Sequence, residues 1–432
     1  MTTFKTVFKK IIIKLLTWEA RIALYRYEPH IVAITGSVGK TSTKDAIFTV
    51  LADTFSVRKS EKSFNGDIGV PLTILGLPNV WNNPLKWIWN VLKGAVIIMF
   101  EHDYPEWLVL EVGADRPGDI EKIAKWLSPD VVVMTRFAKV PVHIEFFKSR
   151  EHVIEEKAYL AKALKIGGTI VVNADDPDME QFHKHSRGSV LTVGMKEGAD
   201  IVGSHDSVLY EDGKVAGMQF RADYRGNSVP ITIHGALGRQ HMYPALFASA
   251  VAVSRGINMV TVGERLLKHR TPNGRMHIIP GVKDTTIIDD TYNASPVAVI
   301  EALHTLGNLK CKGRKIAVLG DMMELGKHSV EMHREVGVAA SNNVDILIAV
   351  GVRARGMADA ALDVLDDENV LSYDTIDEAG EVLQNILKKG DLVLVKGSQS
   401  MRMERLVFDI MAEPDTAGEM LVRQEVEWME RQ

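Results

Sequence analysis

The sequence predicts an α/β protein in which helices cover parallel β-sheets. Apolar runs of three to five residues alternate with segments of helical periodicity along most of its 432 residues. Such continuously apolar strands are typical of parallel sheets that are buried on both faces. Short alternating segments, separated by glycine and aspartate, interrupt this series between Ser204 and Ile233. They predict a small antiparallel appendage.

Eight apolar runs are predicted to form strands. They lie at residues 31–34, 107–110, 131–134, 169–172, 286–288, 315–319, 346–350 and 391–395. The sequence Thr271-Pro-Asn-Gly274 separates the first four from the last four, because it ends the helix that precedes it. We therefore expect an N-terminal helix over residues 1–30, a central domain over 31–270 and a C-terminal domain over 271–432.

The composition, with 46% hydrophobic and 25% charged residues, suits a soluble protein of two or three domains. A formal net charge of −5 argues against a protein that binds nucleic acid by neutralising phosphates, so we expect no nucleic-acid partner. Cys311 is the only cysteine, which excludes an intramolecular disulfide and a zinc site built from several cysteines. We expect a cytoplasmic protein that is a monomer.

The segment from Phe4 to Tyr27 predicts an amphipathic helix rich in lysine and arginine. No uncharged run in it approaches a membrane span, and Lys14 interrupts the apolar region that a signal peptide would need. One interpretation is a helix that lies on the inner face of the membrane, and the other is a helix packed on its own domain or on a partner. The same alternatives apply to residues 80–100, where Trp87 and Trp89 lie among apolar residues.

The strongest chemical signal begins at Ile31, where an apolar strand leads into a turn bounded by Gly36 and Gly39. Glycines at these positions let backbone N–H groups approach phosphate oxygens. The N-terminus of the helix that follows adds positive potential. This strand, turn and helix predict a cradle for the phosphates of ATP.

Side chains in the same motif supply the remaining chemistry. Lys40 can neutralise phosphate charge, and the hydroxyl of Thr41 or Ser42 can ligate Mg²⁺. The predicted nucleotide-binding residues are Thr35, Gly36, Ser37, Val38, Gly39, Lys40, Thr41 and Ser42.

Glu111 ends an apolar strand that runs from Leu108, which is where a carboxylate for Mg²⁺ belongs in this type of fold. The alternative is a carboxylate that caps the helix begun by Arg116 to Asp119. Farther along, His143 is either a metal ligand or a structural histidine. On the residues alone, Lys157 is an ordinary solvated lysine of the next helix.

Several motifs in one order make the chain similar to the Mur ligase family. They are Thr35 to Thr41, Phe64 to Leu72, Glu111 to Ala114, His143, Lys157, Asn173 to Pro177, Gly274 and Arg275, Asp289 to Pro296, Gly320 to Gly326, and Lys396 to Ser398. Within the family the pattern is most similar to the members that add D-alanyl-D-alanine to UDP-N-acetylmuramoyl-tripeptide. The resemblance implies a P-loop central ATPase domain followed by a Rossmann-like C-terminal domain.

The resemblance also implies a reaction. ATP phosphorylates the carboxylate of a muramoyl-peptide, the amine of D-alanyl-D-alanine attacks the acyl phosphate, and a tetrahedral intermediate collapses to a peptide bond with release of ADP and phosphate. No protein nucleophile is needed, so positioning and charge neutralisation would do most of the work.

Residue roles follow from the positions that match family motifs. His143 resembles the ligand of a second Mg²⁺. Lys157 resembles a lysine that CO₂ carbamylates, which turns a cation into an anion that can lie near that metal. Arg275 resembles the arginine that reaches the terminal phosphate, and Asp290 resembles the acid that holds the ribose of ATP.

Four further positions are assigned to substrate. They are Asn65, Asn293, Lys396 and Ser398. The resemblance places the Lys396-Gly-Ser398 loop near the incoming amine. Asp321, Glu324 and His333 have roles that spacing does not dictate, so a structural role stays open for them.

Two departures from the family pattern limit what carries over. Gly238 to Pro244 replaces a motif whose last asparagine usually contacts adenine, so that contact is not predicted here. Only about thirty residues precede Ile31, whereas members with nucleotide-sugar substrates carry a domain there for UDP, so we expect this module to be missing. Another protein or the N-terminal helix with the tryptophan-rich segment would then recognise UDP, or the carboxylate substrate is different or lipid-linked.

Taken together, the residues predict an ATP-dependent carboxylate–amine ligase of peptidoglycan precursor synthesis. A Mur-type ligase with a different carboxylate substrate is the close alternative. A membrane-associated protein that binds ATP without ligating is the second, and the presence of Glu111, His143 and Lys157 argues against it.

Overall fold

A computed structural model describes residues 2–61, 64–80, 83–137, 146–179, 182, 188–425 and 428, with side chains from residue 7 onward. Within it the chain forms two compact units. Unit 1 comprises Met1–Asp206, Phe220–Thr232 and Gln240–His269, and unit 2 comprises Ser207–Gln219, Ile233–Arg239 and Arg270–Gln432. The predicted N-terminal helix is therefore part of unit 1.

Nine strands of the described residues form the larger sheet. They are β1 (His30–Thr35), β2 (Val57–Lys59), β3 (Trp107–Glu111), β4 (Val131–Met134), β5 (Thr169–Asn173), β6 (Ser189–Gly194), β7 (Ile201–Glu211), β8 (Lys214–Tyr224) and β9 (Asn227–His234). Their order is β2-β3-β1-β4-β5-β6-β7-β8-β9, and β1 to β6 pair in parallel. Strand β1 is thus central, with β3 and β4 beside it. The predicted parallel α/β architecture is confirmed.

The last three strands form the antiparallel segment that the sequence predicts. Two-residue turns connect them, Asp212-Gly213 and Arg225-Gly226, and all four residues have positive φ. This is the type I′ geometry that matches the twist of paired antiparallel strands. Each of the three strands contributes residues to both units.

Eight helices accompany this sheet in the described residues. They are α1 (Thr2–Tyr27), α2 (Lys40–Ala52), α3 (Gly69–Leu75), α4 (Pro84–Phe100), α5 (Asp119–Ala124), α6 (Arg150–Lys162), α7 (Met242–Ser254) and α8 (Met259–Leu266). Ser149 caps α6 by accepting from His152 N, and Asn83 caps α4 in the same way. Helix α1 packs on α3 and α4 through Leu16, Ala20 and neighbouring residues of the core. Among the described helices, none has the length and apolar character that crossing a bilayer requires.

In unit 2, six strands of the part of the chain that the structure describes form a second sheet. Its strands are β10 (His277–Gly281), β11 (Thr285–Asp290), β12 (Lys315–Gly320), β13 (Ile346–Val350), β14 (Val370–Tyr373) and β15 (Leu392–Lys396). Their order is β10-β11-β15-β12-β13-β14, parallel except for β10, the edge strand that carries Pro280. The described helices of this unit are α9 (Pro296–Asn308), α10 (Ser329–Ser341), α11 (Arg355–Ala361), α12 (Ile376–Ile386), α13 (Glu404–Ile410) and α14 (Ala417–Met420). Because β11 and β15 are neighbours in register, the ends of both strands, Asp290 and Lys396, lie side by side.

Candidate active site

The phosphate cradle, residues 36–42, joins the end of β1 to the start of α2. Gly36 has a φ of 146°, and a Cβ there would lie 2.0 Å from Thr135 Oγ1, so only glycine fits. Gly39 has a φ of 85° and nothing within 4 Å of the position of a Cβ, so the backbone at the start of α2 is approachable. This is the arrangement that lets N–H groups reach a phosphate at a helix N-terminus.

Two residues that follow β4 hold the cradle in place. Thr135 Oγ1 donates to Val38 O at 2.7 Å, and Arg136 O accepts from Ser37 N at 2.7 Å. The N–H groups of Ser37 and Val38 are both directed at Arg136 O, which leaves the first turn of α2 as the source of donors for an anion. Sequence reasoning did not single out Thr135 or Arg136.

Two lysines share one carbonyl oxygen in this cradle. Lys40 Nζ and Lys157 Nζ each lie 3.1 Å from Gly36 O. Lys157 is only 5% exposed. The prediction of a solvated lysine, which rested on the residues alone, is therefore wrong. Burial, assisted by the positive charge of Lys40, lowers the pKa of Lys157 to about 7, against the opposing effects of Glu156 and Glu111. A large fraction of this amine is therefore neutral near pH 7.

Glu111 is buried against the hydroxyl that was predicted to ligate metal. Its Oε2 accepts from Thr41 Oγ1 at 2.9 Å, and its Oε1 accepts from Asn65 Nδ2 at 3.3 Å. Asn65 is in turn fixed by its backbone oxygen, which accepts from Gly113 N at 2.8 Å. The structure thus brings together three of the predicted site residues on the amino-terminal side of α2.

The alternative role for Glu111, capping the next helix, is wrong because Glu156 does this. Its carboxylate accepts from Gly118 N at 2.8 Å and from Ile120 N at 2.7 Å, at the N-terminus of α5. Glu156 therefore ties α6 to α5 and fixes the backbone of Lys157. No sequence motif marked Glu156, since its partners lie more than thirty residues away.

Oxygen donors around Glu111 are of the kind that Mg²⁺ takes, namely one carboxylate with a hydroxyl beside it. His143, predicted as a second metal ligand, lies outside the described residues. Within those residues, no group of three histidine, cysteine, aspartate or glutamate side chains forms a metal cluster. The fit to Mg²⁺ therefore rests on Thr41 and Glu111.

Pro244 stands where the family motif has the asparagine that usually contacts adenine, and Tyr243 precedes it. The Tyr243 hydroxyl donates to Asp175 Oδ2 at 2.9 Å, and the same oxygen accepts from Met195 N at 2.6 Å. The carboxylate of Asp175 thereby holds the start of α7 near β6.

Unit 2 holds a second group of predicted residues, which we call the acid–lysine cluster: Asp290, Asn293 and Lys396. Lys396 Nζ lies 2.6 Å from Asp290 Oδ2 and donates to Asn293 O at 2.8 Å. Asp290 Oδ1 also accepts from Met276 N at 3.1 Å. The Arg275 guanidinium stacks over the ring of Tyr292, 4.1 Å from its centroid. The structure thus brings Asp290, Asn293 and Lys396 into contact, and Arg275 lies in the segment just before β10.

Arg423, which no motif marked, clamps the loop that follows β11. It donates to Thr291 O at 3.2 Å and to Tyr292 O at 2.5 Å, and it forms an ion pair with buried Glu404 at 2.8 Å. The preceding Asp289 is fully buried, and its Oδ2 has no hydrogen-bond partner among the described residues. Burial raises the pKa of Asp289 to about 7.

Asp321 and His333, whose roles the sequence left open, anchor loops. Asp321 Oδ1 accepts from Ala354 N at 2.7 Å, and His333 Nε2 accepts from Met322 N at 3.0 Å while its Nδ1 lies 2.6 Å from Ser329 O. Ser398, predicted to face substrate, is buried, and its hydroxyl accepts from Met323 N at 2.8 Å. Backbone contacts of this kind are structural, so they favour that role for Asp321 and His333.

Two family profiles match the chain. The Mur ligase middle domain matches residues 34–252, and the Mur ligase glutamate ligase domain matches residues 274–399. The first match covers half of the chain and includes the phosphate cradle, Glu111 and Lys157.

Two of the similar proteins carry the same activity in their names. The UDP-N-acetylmuramoyl-tripeptide–D-alanyl-D-alanine ligase of Bacillus subtilis is 27% identical over 398 residues, which is 91% of this chain and 79% of that protein. The ligase of the same name from Mycobacterium tuberculosis is 28% identical over 408 residues, 90% of this chain and 74% of its own.

Solved structures agree with these matches. The crystal structure of MurF ligase from Thermotoga maritima in complex with ADP has a TM-score of 0.71 and 27% identity, and the match covers 92% of this chain and 82% of that one. A MurF structure from Acinetobacter baumannii, at 22% identity, shares the fold with a TM-score of 0.77 over 92% of this chain and 80% of its own. The chain therefore belongs to the Mur ligase family, whose members are ATP-dependent ligases that form peptide bonds.

Proposed function

We propose that the protein joins the free carboxylate of a muramoyl-tripeptide to the amine of D-alanyl-D-alanine, with conversion of ATP to ADP and phosphate. The observation that carries this proposal is the cradle, in which Thr41 and Glu111 lie in contact and Lys40 and Lys157 converge on Gly36 O. The named activity of the Bacillus subtilis and Mycobacterium tuberculosis relatives supports the choice of substrates.

The chemistry needs binding and charge neutralisation more than a protein nucleophile. A carboxylate oxygen of the peptide attacks the terminal phosphorus of ATP, the bond to the bridging oxygen breaks, and ADP leaves. The amine then attacks the acyl carbon and gives up a proton, and the bond from that carbon to the phosphate oxygen breaks. Lys40 and the first turn of α2 would stabilise the charge that develops on the phosphates.

Mg²⁺ fits this site through the Thr41 hydroxyl and the Glu111 carboxylate. When bound, it would neutralise phosphate charge and hold the phosphate oxygens in a fixed geometry. Asn65 keeps the Glu111 carboxylate oriented through its hydrogen bond to Oε1.

Lys157 is proposed to carry a carbamate. Only a neutral amine adds to CO₂, with loss of a proton, and a pKa of about 7 supplies a neutral fraction that an ordinary lysine lacks. The product is an anion next to Lys40, which replaces the repulsion between two ammonium groups by attraction. Labelled bicarbonate provides the direct test, since a ¹³C carbamate resonance should appear in the wild type and be absent from Lys157→Ala.

A muramoyl-tripeptide that is linked to UDP is the first carboxylate substrate to test. ADP release should depend on the presence of D-alanyl-D-alanine, and mass spectrometry should detect the condensed peptide. If the protein binds ATP but the dipeptide leaves ADP release unchanged with UDP-linked and lipid-linked tripeptides, the proposed substrates are wrong. A cytoplasmic location is proposed with this activity, because ATP is a cytoplasmic substrate.

A further inference from the structure

Helix α4 turns a continuous apolar stripe to the outside of unit 1. Leu85, Trp89, Leu92, Val96 and Phe100 are exposed and follow one another at three or four residue intervals. Trp89 alone leaves 66% of its surface uncovered. The opposite side of the helix is the one that is buried. An apolar stripe of this length on an unpacked helix face marks an interaction surface.

Helix α1 has a second stripe of the same kind. Val7, Ile11, Leu15 and Trp18 are exposed and lie one helical turn apart, while other apolar residues of the helix are buried in the core of unit 1. Trp18 is 61% exposed. The helix therefore has two apolar faces, of which the core covers one.

The two helices contact each other directly, and we call them the helical pair. Tyr27 Oη donates to Ile97 O at 2.7 Å, and Arg26 donates to Met99 O at 3.3 Å, so the C-terminal ends lie together. Farther along, a Cβ at Gly94 would lie 2.3 Å from the Glu19 carboxylate, which shows how closely the helices approach. The pair is one structural element, so both stripes belong to the same region of unit 1.

Charge distinguishes this pair from the rest of the chain. Its helices hold eight of the 51 lysine and arginine residues and one of the 56 acidic residues, although the chain as a whole has a net charge of −5. The single acid, Glu19, is buried. Lys10, Lys14 and Arg21 are exposed beside the α1 stripe, and Lys86 and Lys93 are exposed on α4.

We propose that the helical pair docks on an anionic lipid surface. Exposed tryptophan and leucine would enter the interfacial layer, and the flanking lysines would contact lipid phosphates. Tryptophan is the side chain that the boundary between headgroups and acyl chains accommodates best. The nearly exclusive basic charge favours a lipid surface over a protein partner, whose rim would ordinarily carry both signs. This inference stands independently of the proposed substrates.

Vesicle flotation of the full chain tests the proposal. The protein should float with phosphatidylcholine vesicles that contain phosphatidylglycerol and remain in the dense fraction with pure phosphatidylcholine, with at least about a tenfold difference in bound protein. Raised salt should release much of it, because screening weakens attraction between surface charges. Equal recovery with the two vesicle types, or none with either, would overturn the proposal.

Matched variants locate the surface. Lys10→Glu/Lys14→Glu/Arg21→Glu should abolish the preference for phosphatidylglycerol, and Trp89→Ser/Leu92→Ser should weaken binding at any lipid charge. The charge control is Lys125→Glu/Lys268→Glu/Lys389→Glu, and the apolar control is Val330→Ser/Val352→Ser, all at exposed positions elsewhere. Controls that lose binding as strongly as the helical-pair variants would contradict the assignment.

Two further readouts keep the result interpretable. Thermal melting should be nearly unchanged in all variants, because the substituted side chains are exposed. Sedimentation in the absence of lipid should give one mass for wild type and Trp89→Ser/Leu92→Ser. A dimer in the wild type that this variant dissociates would mean that a second copy of the chain covers the stripe, and the lipid proposal would be wrong.

Discussion

The phosphate cradle of unit 1 and the acid–lysine cluster of unit 2 handle buried charge in opposite ways. In the cradle, the side-chain nitrogens of two lysines converge on one neutral carbonyl oxygen, Gly36 O. In the cluster, the buried ammonium group of Lys396 forms an ion pair with Asp290 at 2.6 Å. The cradle thus concentrates like charge, whereas the cluster is internally compensated.

That difference separates a site that favours an anion from a cluster whose charges are already paired. Lys40 disfavours a second positive charge on Lys157, and an anion, whether a phosphate or the proposed carbamate, is favoured beside it. Lys396 is already neutralised by a group of its own unit, so removing it leaves Asp290 buried without its partner. We therefore expect substitutions in the cradle to affect turnover and substitutions in the cluster to affect folding.

The largest effect should come from Lys157→Ala. Turnover, measured as dipeptide-dependent ADP release, should fall by at least roughly 10³-fold, because the variant can carry no carbamate. Added acetate should restore part of the activity by supplying a carboxylate in the space of the missing side chain. Turnover within a few fold of wild type would show that the lysine is only structural.

Next in size is the cost of Lys396→Met to stability. Breaking a buried ion pair from one side should lower the free energy of unfolding by about 3 kcal/mol, as measured by urea denaturation. The double variant Asp290→Asn/Lys396→Met should recover much of this loss, because no uncompensated charge remains. By contrast, Lys157→Met should be at least as stable as wild type below pH 7, since it removes a buried ammonium group.

The pH dependence of the stability of Lys157→Met gives a sharper test of the contrast between the cradle and the cluster. The pKa of Lys157 is lowered in the folded state, so the folded protein binds this proton more weakly than the unfolded chain does. The resulting penalty to the free energy of unfolding is fully present below about pH 7. The penalty fades as the pH rises from there toward the pKa of an unfolded lysine. The stability advantage of Lys157→Met should therefore shrink over that interval, and an advantage that grows with pH would contradict the assigned shift.

Asp289 adjoins the acid–lysine cluster, but its charge is not compensated as that of Asp290 is. Its substitution should have a smaller effect on stability than that of Lys396. Its pKa is raised to about 7 in the folded state, so its contribution to stability is lost as the pH rises from the value of an unfolded aspartate through about 7. Asp289→Asn should be nearly equal to wild type in stability at low pH and more stable than wild type above that range. Unfolding midpoints across the pH range provide the measurement.

The smallest expected effect is that of Asn65→Ala. Loss of one hydrogen bond to Glu111 should leave the carboxylate in place but less well oriented, with about a tenfold rise in the Mg²⁺ concentration needed for half-maximal turnover. Asn342→Ala, at an exposed position outside the site, serves as the control. Equal Mg²⁺ dependence in both variants would remove Asn65 from the metal site.

The sequence predicted the buried strands well because they are continuously apolar. Residues 131–134 and 346–350 form strands with the predicted limits. Edge strands such as β2, Val57–Lys59, carry no such pattern and were not predicted. Strand β15 begins one residue later than expected, because Asp391 N donates to Lys388 O in the preceding turn.

In the site, too, only residues that belong to a local sequence pattern could be predicted. Lys40, Thr41 and Glu111 were identified because each occupies a fixed position relative to a strand end. Thr135, Glu156 and Arg423 act through backbone atoms that lie far away in sequence, and no local pattern encodes such contacts. Lys157 lies between these cases, since the family motif marked it while periodicity alone placed it in solvent.

The amine of Lys157 also has a practical consequence for chemical labelling. Isocyanic acid is isoelectronic with CO₂ and adds to the same neutral amines, but the urea that forms is uncharged and does not revert. A lysine whose pKa is about 7 should react with cyanate well before surface lysines do. Brief cyanate treatment followed by peptide mapping would then mark this position, and nucleotide in the cradle would shield it.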